Sequence, residues 1–142
     1  MLSEIIIKVA RDRVADYAGD PTNAPQWYVN IKSVEWLTPA VVRVGSKVAF
    51  VARFLGRELR YTYEIVEFSP SERLVMRTAQ GPFPMETTYT SVPEGNNTTR
   101  MTLRNRGAPE GFGRVAAPFM TLAMRRANRK DLQRLRTILE ST

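Results

Sequence analysis

The C-terminal stretch from Phe112 to Leu139 constrains the fold more than any other part of the sequence. Met120, Ala123, Met124, Ala127, Leu132, Leu135, Ile138 and Leu139 recur at steps of three and four, so one side of a helix through them is apolar. The opposite side carries Arg125, Arg126, Arg129, Lys130, Arg134 and Arg136. At about 1.5 Å per residue such a helix reaches roughly 42 Å, enough to cross a small domain. A helix this long and one-sided needs a broad surface to lie on. Pro118 either starts its stable part or kinks it, and the Gly107, Pro109, Gly111, Gly113 cluster before it predicts a flexible connection.

The residues before it predict that surface. Ser3 to Ala10 is short and β-branched and reads as a strand. Arg11 to Ala18 reads as a short helix, stopped by Gly19-Asp20-Pro21. Thr22 or Asn23 can cap a second short helix with Pro25 in its first turn and Trp27-Tyr28 at its end. The period then becomes two. Ile31 to Trp36, Ser46 to Phe54, Leu59 to Ile65, Arg73 to Thr78, Met85 to Val92 and Thr98 to Arg106 read as strands. Gly56, Ser69-Pro70-Ser71, Gly81-Pro82 and Glu94-Gly95-Asn96-Asn97 are turn signals between them. About seven strands with short connections predict an antiparallel meander and an α+β fold: a curved sheet around one long C-terminal helix. The 142 residues suit a single domain, 1–142, and no repeat or linker divides them.

Composition excludes several chemistries. Without cysteine or histidine there is no disulfide, thiol nucleophile, Cys/His zinc site or His-based triad. Acid–base chemistry must use Asp, Glu, Lys, Tyr or water, and no catalytic motif is present. No acidic cluster has calcium-loop spacing, and the expectation is no metal and no cofactor. No apolar run is long enough to span a membrane. The first residues lack a signal-peptide pattern, which predicts a cytoplasmic protein.

The order of elements is that of the helix-grip arrangement. Asp20-Pro21-Thr22-Asn23-Ala24-Pro25-Gln26-Trp27 resembles the D-x-x-N-x-x-x-W signature of bacterial START-like (SRPBCC) proteins, in the polyketide cyclase/dehydrase-like branch. Val44-Gly45-Ser46, the run from Tyr63 to Pro70 with Arg73-Leu74, and Asp131-Leu132 with Leu135 look like the same family. The resemblance covers almost the whole chain. It implies a cavity between helix and sheet for an apolar or amphipathic small molecule such as a lipid, isoprenoid or polyketide-like aromatic. Some relatives are aromatase/cyclases. No catalytic motif is universal in the family, so no catalytic residue transfers.

Residue chemistry supports the same expectation. The candidate cavity wall is Trp27, Phe50, Phe54, Tyr61, Tyr63, Met76, Met85, Tyr89, Met101, Phe119, Met120, Met124 and Asn128. Methionines repack around guests of different shape. The same residues could equally fill a packed core. Asn128 lies one turn from both Met124 and Leu132, where its amide can meet a ligand carbonyl or hydroxyl; Asn105 and Thr87 are weaker candidates of that kind. Trp27 and Tyr28 either border an entrance or plug the open end of the sheet. Arg53, Glu64, Arg77 and Glu86 alternate away from the apolar positions and predict an outer face with cross-strand pairs; the contrary reading is a bulge that turns one carboxylate inward.

The charge is one-sided. Residues 1–99 hold 11 basic and 11 acidic residues, whereas residues 100–142 hold 10 basic and 3 acidic, which accounts for the net +7. On the helix, Asp131 and Glu140 are the acids near the basic row. No aromatic residue follows Phe119, which argues against single-stranded nucleic acid on this face. An anionic membrane or an acidic protein fits it better. Three functions therefore stand: binding of an apolar small molecule, a cyclase/dehydratase using the same chamber, and an adaptor using the basic face. No dedicated dimer interface is visible, and monomer and homodimer remain open.

Overall fold

The computed structural model describes residues 1–82, 84–107 and 117–141, with the side chains of 117–120 outside the described set. Its elements run β1 (Leu2–Ile7), α1 (Arg11–Gly19), a 3₁₀ turn (Pro21–Asn23), α2 (Ala24–Trp27), β2 (Ile31–Trp36), β3 (Lys47–Phe54), β4 (Arg57–Ser69), β5 (Arg73–Gln80), β6 (Met85–Pro93), β7 (Thr99–Gly107) and α3 (Ala117–Glu140). The seven strands form one antiparallel sheet in the order β1-β7-β6-β5-β4-β3-β2. The α+β architecture expected from the sequence is the observed one. The Gly/Pro cluster ahead of Pro118 falls mostly outside the described residues.

The alternation seen in the sequence sets the two faces. Val48, Phe50 and Ala52 of β3 are buried on the concave side, with Tyr63 and Ile65 of β4 beside them. The hairpin between these strands has a two-residue loop, with Phe54 opposite Arg57. Leu55 and Gly56 both have positive φ, 52° and 77°. That is the type I′ pattern, whose twist matches the strands. Register shifts between Thr62 and Tyr63 and between Ile65 and Glu67 break the β4–β5 ladder. Such irregularities bend a sheet and increase its twist, and here they curve it toward α3.

The convex face is the solvated one. Arg77 pairs with Glu86 at 2.6 Å and Lys47 with Glu64 at 3.9 Å, and Arg53 is exposed. Glu64 stays on this face, whereas Glu86 also borders the space beneath α3.

Asn23 stands at the N-cap position of α2, one of the two places expected, and directly before α2 runs the 3₁₀ turn. Its cap is Asp20, whose carboxylate accepts from the Thr22 amide at 3.0 Å. Asn23 makes no cap bond for α2; its side-chain amide donates instead to the Tyr17 carbonyl. Pro21 suits the start of the 3₁₀ turn after Asp20, with no N–H to satisfy and φ already suited to a first turn.

α3 packs against β1 and α2. Leu132, Leu135 and Leu139 are almost fully buried, with Ile7, Val14, Met101 and Leu103 in the same core. The β1–α1 turn and α1 hold the end of the helix: Lys8 N donates to Glu140, and Arg13 of α1 donates to the Leu139 carbonyl. The second of these bonds satisfies one of the carbonyls a helix leaves free at its C-terminus. Further toward its N-terminus the helix is differently placed. Leu122 is exposed and Met124 only half-buried, so here α3 stands off the sheet.

Candidate functional site

A cavity of about 890 Å³ fills the space under that raised half of α3. The helix contributes Thr121, Met124, Arg125, Ala127, Asn128 and Asp131, a stripe at helical spacing. The concave sheet contributes Phe50, Phe54, Leu59, Tyr61, Tyr63, Met76, Met85, Thr87, Tyr89 and Asn105. Ala24, Tyr28 and Asn30 close the end formed by α2 and the start of β2. The wall is mainly aromatic and aliphatic, the usual character of a small-molecule site.

Nine of the thirteen wall candidates lie around this space: Phe50, Phe54, Tyr61, Tyr63, Met76, Met85, Tyr89, Met124 and Asn128. Two do not. Trp27 and Met101 are fully buried in the core behind it. Trp27 supports the floor instead, with its ring 4.1 Å from that of Tyr28 and 5.7 Å from that of Tyr89. Its indole N–H has no hydrogen-bond partner among the described residues. The side chains of Phe119 and Met120 lie outside the described residues.

The aromatic wall is organised. Phe50 stacks on Tyr61 at 5.4 Å, and Tyr63 meets Phe50 and Tyr61 edge-on at 5.7 and 5.0 Å. Polar groups form a strip across it. The Tyr63 hydroxyl lies 2.8 Å from Thr87 Oγ1, and Thr87 Oγ1 donates to Asn105 Oδ1 at 3.1 Å. Asn105 Nδ2 donates to Asn128 Oδ1 at 3.1 Å, and Asn128 Nδ2 contacts the Met1 sulfur at 3.5 Å. Tyr28 and Tyr89 share a second hydroxyl pair at 2.5 Å. Burial pushes the Tyr63 phenol up to about 12 and raises Tyr28, Tyr61 and Tyr89 as well. All four phenols are therefore neutral donors and acceptors near pH 7.

The basic row of α3 contains a buried acid. Asp131 is 2% exposed and accepts from the Val29 amide at 3.0 Å. Burial raises it from 3.8 to about 6, against the opposing pull of that hydrogen bond and of the nearby Arg134 charge. Glu86 behaves in the opposite way, since its hydrogen bond to Arg77 holds it below the ordinary carboxylate range. Sequence spacing places Asn105, Thr87 and Asn128 on the right faces. It carries no signal for Tyr28 meeting Tyr89, or for Val29 capturing Asp131, because those partners are 61 and 102 residues apart. Among the described residues no group of three or more acidic side chains could hold a metal ion. None of their helices is long and apolar enough to cross a membrane. Arg125, Arg126, Arg129, Lys130, Arg134 and Arg136 are all exposed, and Arg125 also reaches the cavity rim.

This curved sheet, its long helix and the chamber between them define a START-like fold. Residues 2–140 match the family described as polyketide cyclase/dehydrase and lipid transport, and the chain belongs to that family. A protein from Thermus thermophilus superposes with a TM-score of 0.81 at 20% identity, covering 99% of this chain and 97% of that one. A START superfamily protein from Mycobacterium smegmatis gives 0.78 at 15% identity, over 99% and 97%. The Zhui aromatase/cyclase from a Streptomyces species gives 0.78 at 15%, over 99% and 92%. At these identities the likeness defines the fold. A comparison with curated protein sequences finds no match.

Proposed function

We propose that this protein binds an apolar or amphipathic small molecule, a lipid, isoprenoid or polyketide-like aromatic, in the cavity between its sheet and α3. The observation that carries the reading is the chamber itself: about 890 Å³, walled mainly by aromatic rings and methionines, with a polar strip and the Tyr28–Tyr89 hydroxyl pair set into it. Such a space is large enough for a drug-sized guest and apolar enough to hold it by burial. Met76, Met85 and Met124 allow the wall to repack around guests of different outline. Titration with Nile red, a neutral dye that brightens in apolar surroundings, tests the reading. Saturable uptake that a large residue at Ala52 or Ala127 abolishes is expected. A folded protein that takes up no dye would overturn it.

A second reading, a cyclase or dehydratase using the same chamber, has one specific observation in its favour. Asp131 lines the cavity with a carboxyl raised to about 6, close enough to the Tyr28–Tyr89 hydroxyl pair to interact electrostatically with both phenols. A carboxyl titrating there can act as a general acid or base near neutral pH. This reading requires a rate that titrates near pH 6 and is lost in Asp131→Asn. Turnover indifferent to both would remove it.

A further inference from the structure

The hydrogen bonds along the polar strip have a direction, and one atom sets it. The Met1 thioether sulfur can accept a hydrogen bond and cannot donate one. Asn128 lies against it, so its carboxamide turns NH₂ toward the sulfur and Oδ1 the other way. Asn105 must then present its own NH₂ to Asn128 Oδ1, leaving its Oδ1 for Thr87. The Thr87 proton is used on that bond, so Thr87 can only accept from Tyr63. Each link forces the next. At the start of the chain the Tyr63 oxygen has used its proton and offers a lone pair. At the far end the Asn128 amide has two N–H groups, one unused among the described residues and one facing a weak acceptor.

These unused valences face the cavity. Tyr63, Thr87, Asn105 and Asn128 all line it, and Asn128 is only 5% exposed. A buried N–H without a good acceptor is costly, and within a cavity the guest can supply the missing oxygen. A carboxylate guest would approach Asp131, which is buried one turn further along α3 and lines the same wall. Arg125 and Arg106 also reach the cavity, but both are exposed and screened by water, and the Met1 ammonium is held by the Asn105 carbonyl at 2.7 Å. The chemistry therefore favours a neutral acceptor.

We propose that the ligand is a neutral apolar molecule bearing a carbonyl and a hydroxyl along one edge, with the carbonyl on Asn128 and the hydroxyl on Tyr63. This rests on the binding reading above and narrows it. The test is displacement of Nile red by anthracene, a hydroxyanthracene, anthraquinone, a hydroxyanthraquinone with its hydroxyl on an outer ring, and an anthraquinone carboxylate. One well-made hydrogen bond is worth about fivefold in affinity. Anthraquinone is expected to bind about fivefold tighter than anthracene, the hydroxyanthraquinone tightest, and the carboxylate no better than anthracene. Asn128→Leu should erase the quinone's advantage. Tyr63→Phe, a conservative change that leaves the Thr87–Asn105 bond intact, should erase only the hydroxyl's. Melting curves of both variants check that they are folded. If the wild-type protein binds Nile red but does not discriminate among the neutral competitors, water satisfies the strip and the proposal is overturned while the binding reading stands. The proposal is equally overturned if the quinone preference survives in Asn128→Leu. If Nile red itself is not taken up, both readings fall.

Discussion

Replacing Asp131 with asparagine should make the protein more stable at neutral pH and change little at low pH. Asp131 lies at the join of α3 with the α2–β2 turn, almost without access to water. Its folded-state carboxyl titrates at about 6, against 3.8 for the ordinary group, with burial the dominant cause. Between those two values the folded chain holds a proton that the unfolded chain has released. Linkage then requires stability to fall as pH rises through that window. Moving a carboxyl from 3.8 to about 6 carries about 3 kcal/mol in all, fully expressed above pH 6 and absent below pH 4. The asparagine of the variant would keep an oxygen for the Val29 amide and carry no charge. Urea unfolding of both proteins at pH 4, 5, 6 and 7.5 reads the difference. The advantage of the variant should grow by up to about 3 kcal/mol from the lowest to the highest pH, equivalent to about 10 °C in Tm. A gap that does not vary with pH would refute burial as the governing term. A gap that shrinks as pH rises would mean that Arg134 overcompensates and that the ionised form stabilises the fold.

Three further changes probe other parts of the argument. Leu135→Ala removes a fully buried side chain between α3 and the sheet and should cost about 2–5 kcal/mol in chemical denaturation, whereas exposed Leu122→Ala should stay within about 0.5 kcal/mol. Leu55→Asn gives the hairpin an Asn-Gly pair suited to positive φ and should raise stability by about 0.5–1 kcal/mol, measured by thermal melting. Lys130→Glu turns two like-charge neighbours on α3, Arg126 and Arg134, into attractive ones. It should add about 1 kcal/mol at low ionic strength, and most of that gain should vanish in 1 M salt.

How far the sequence can be read depends on the range of the interaction. β3 and β4 are visible because alternation is a local property: Val48, Phe50, Ala52, Tyr63 and Ile65 need only their neighbours to declare a face. The helix stripe is visible for the same reason. The residues that carry the family resemblance, Asp20, Asn23 and Trp27, turn out to cap a turn, bind a carbonyl and fill the core. They specify the fold, which explains why they say nothing of a guest. Asn23 holds the expected N-cap position of α2 but spends its side chain on the Tyr17 carbonyl, and the side-chain capping bond falls to Asp20 at the preceding 3₁₀ turn, because only backbone geometry separates the two short elements. Trp27 and Met101 have the composition of cavity walls, and whether a large apolar residue faces space or core depends on the distance between layers. The polar strip is accessible from the sequence only as separate candidates. Its order, from Tyr63 through Thr87 and Asn105 to Asn128, joins three strands and a helix.

The position of β1 bears on how the chain assembles. Strands β2 to β6 each pair with the strand that follows, so their hairpins can close over short loops. β1 instead lies beside β7, and the bond from Met1 N to the Asn105 carbonyl spans 104 residues. Closing a loop of that size costs entropy that no local contact repays, and pairings of this kind slow folding. During synthesis β1 must wait, unpaired, while the rest of the sheet is made. α3 is made last of all, so until then the phenols and methionines of the concave face are open to water. A growing chain of this protein therefore carries its binding surface uncovered for most of its manufacture, a stage at which a holding chaperone, or an early guest, would have the most to offer.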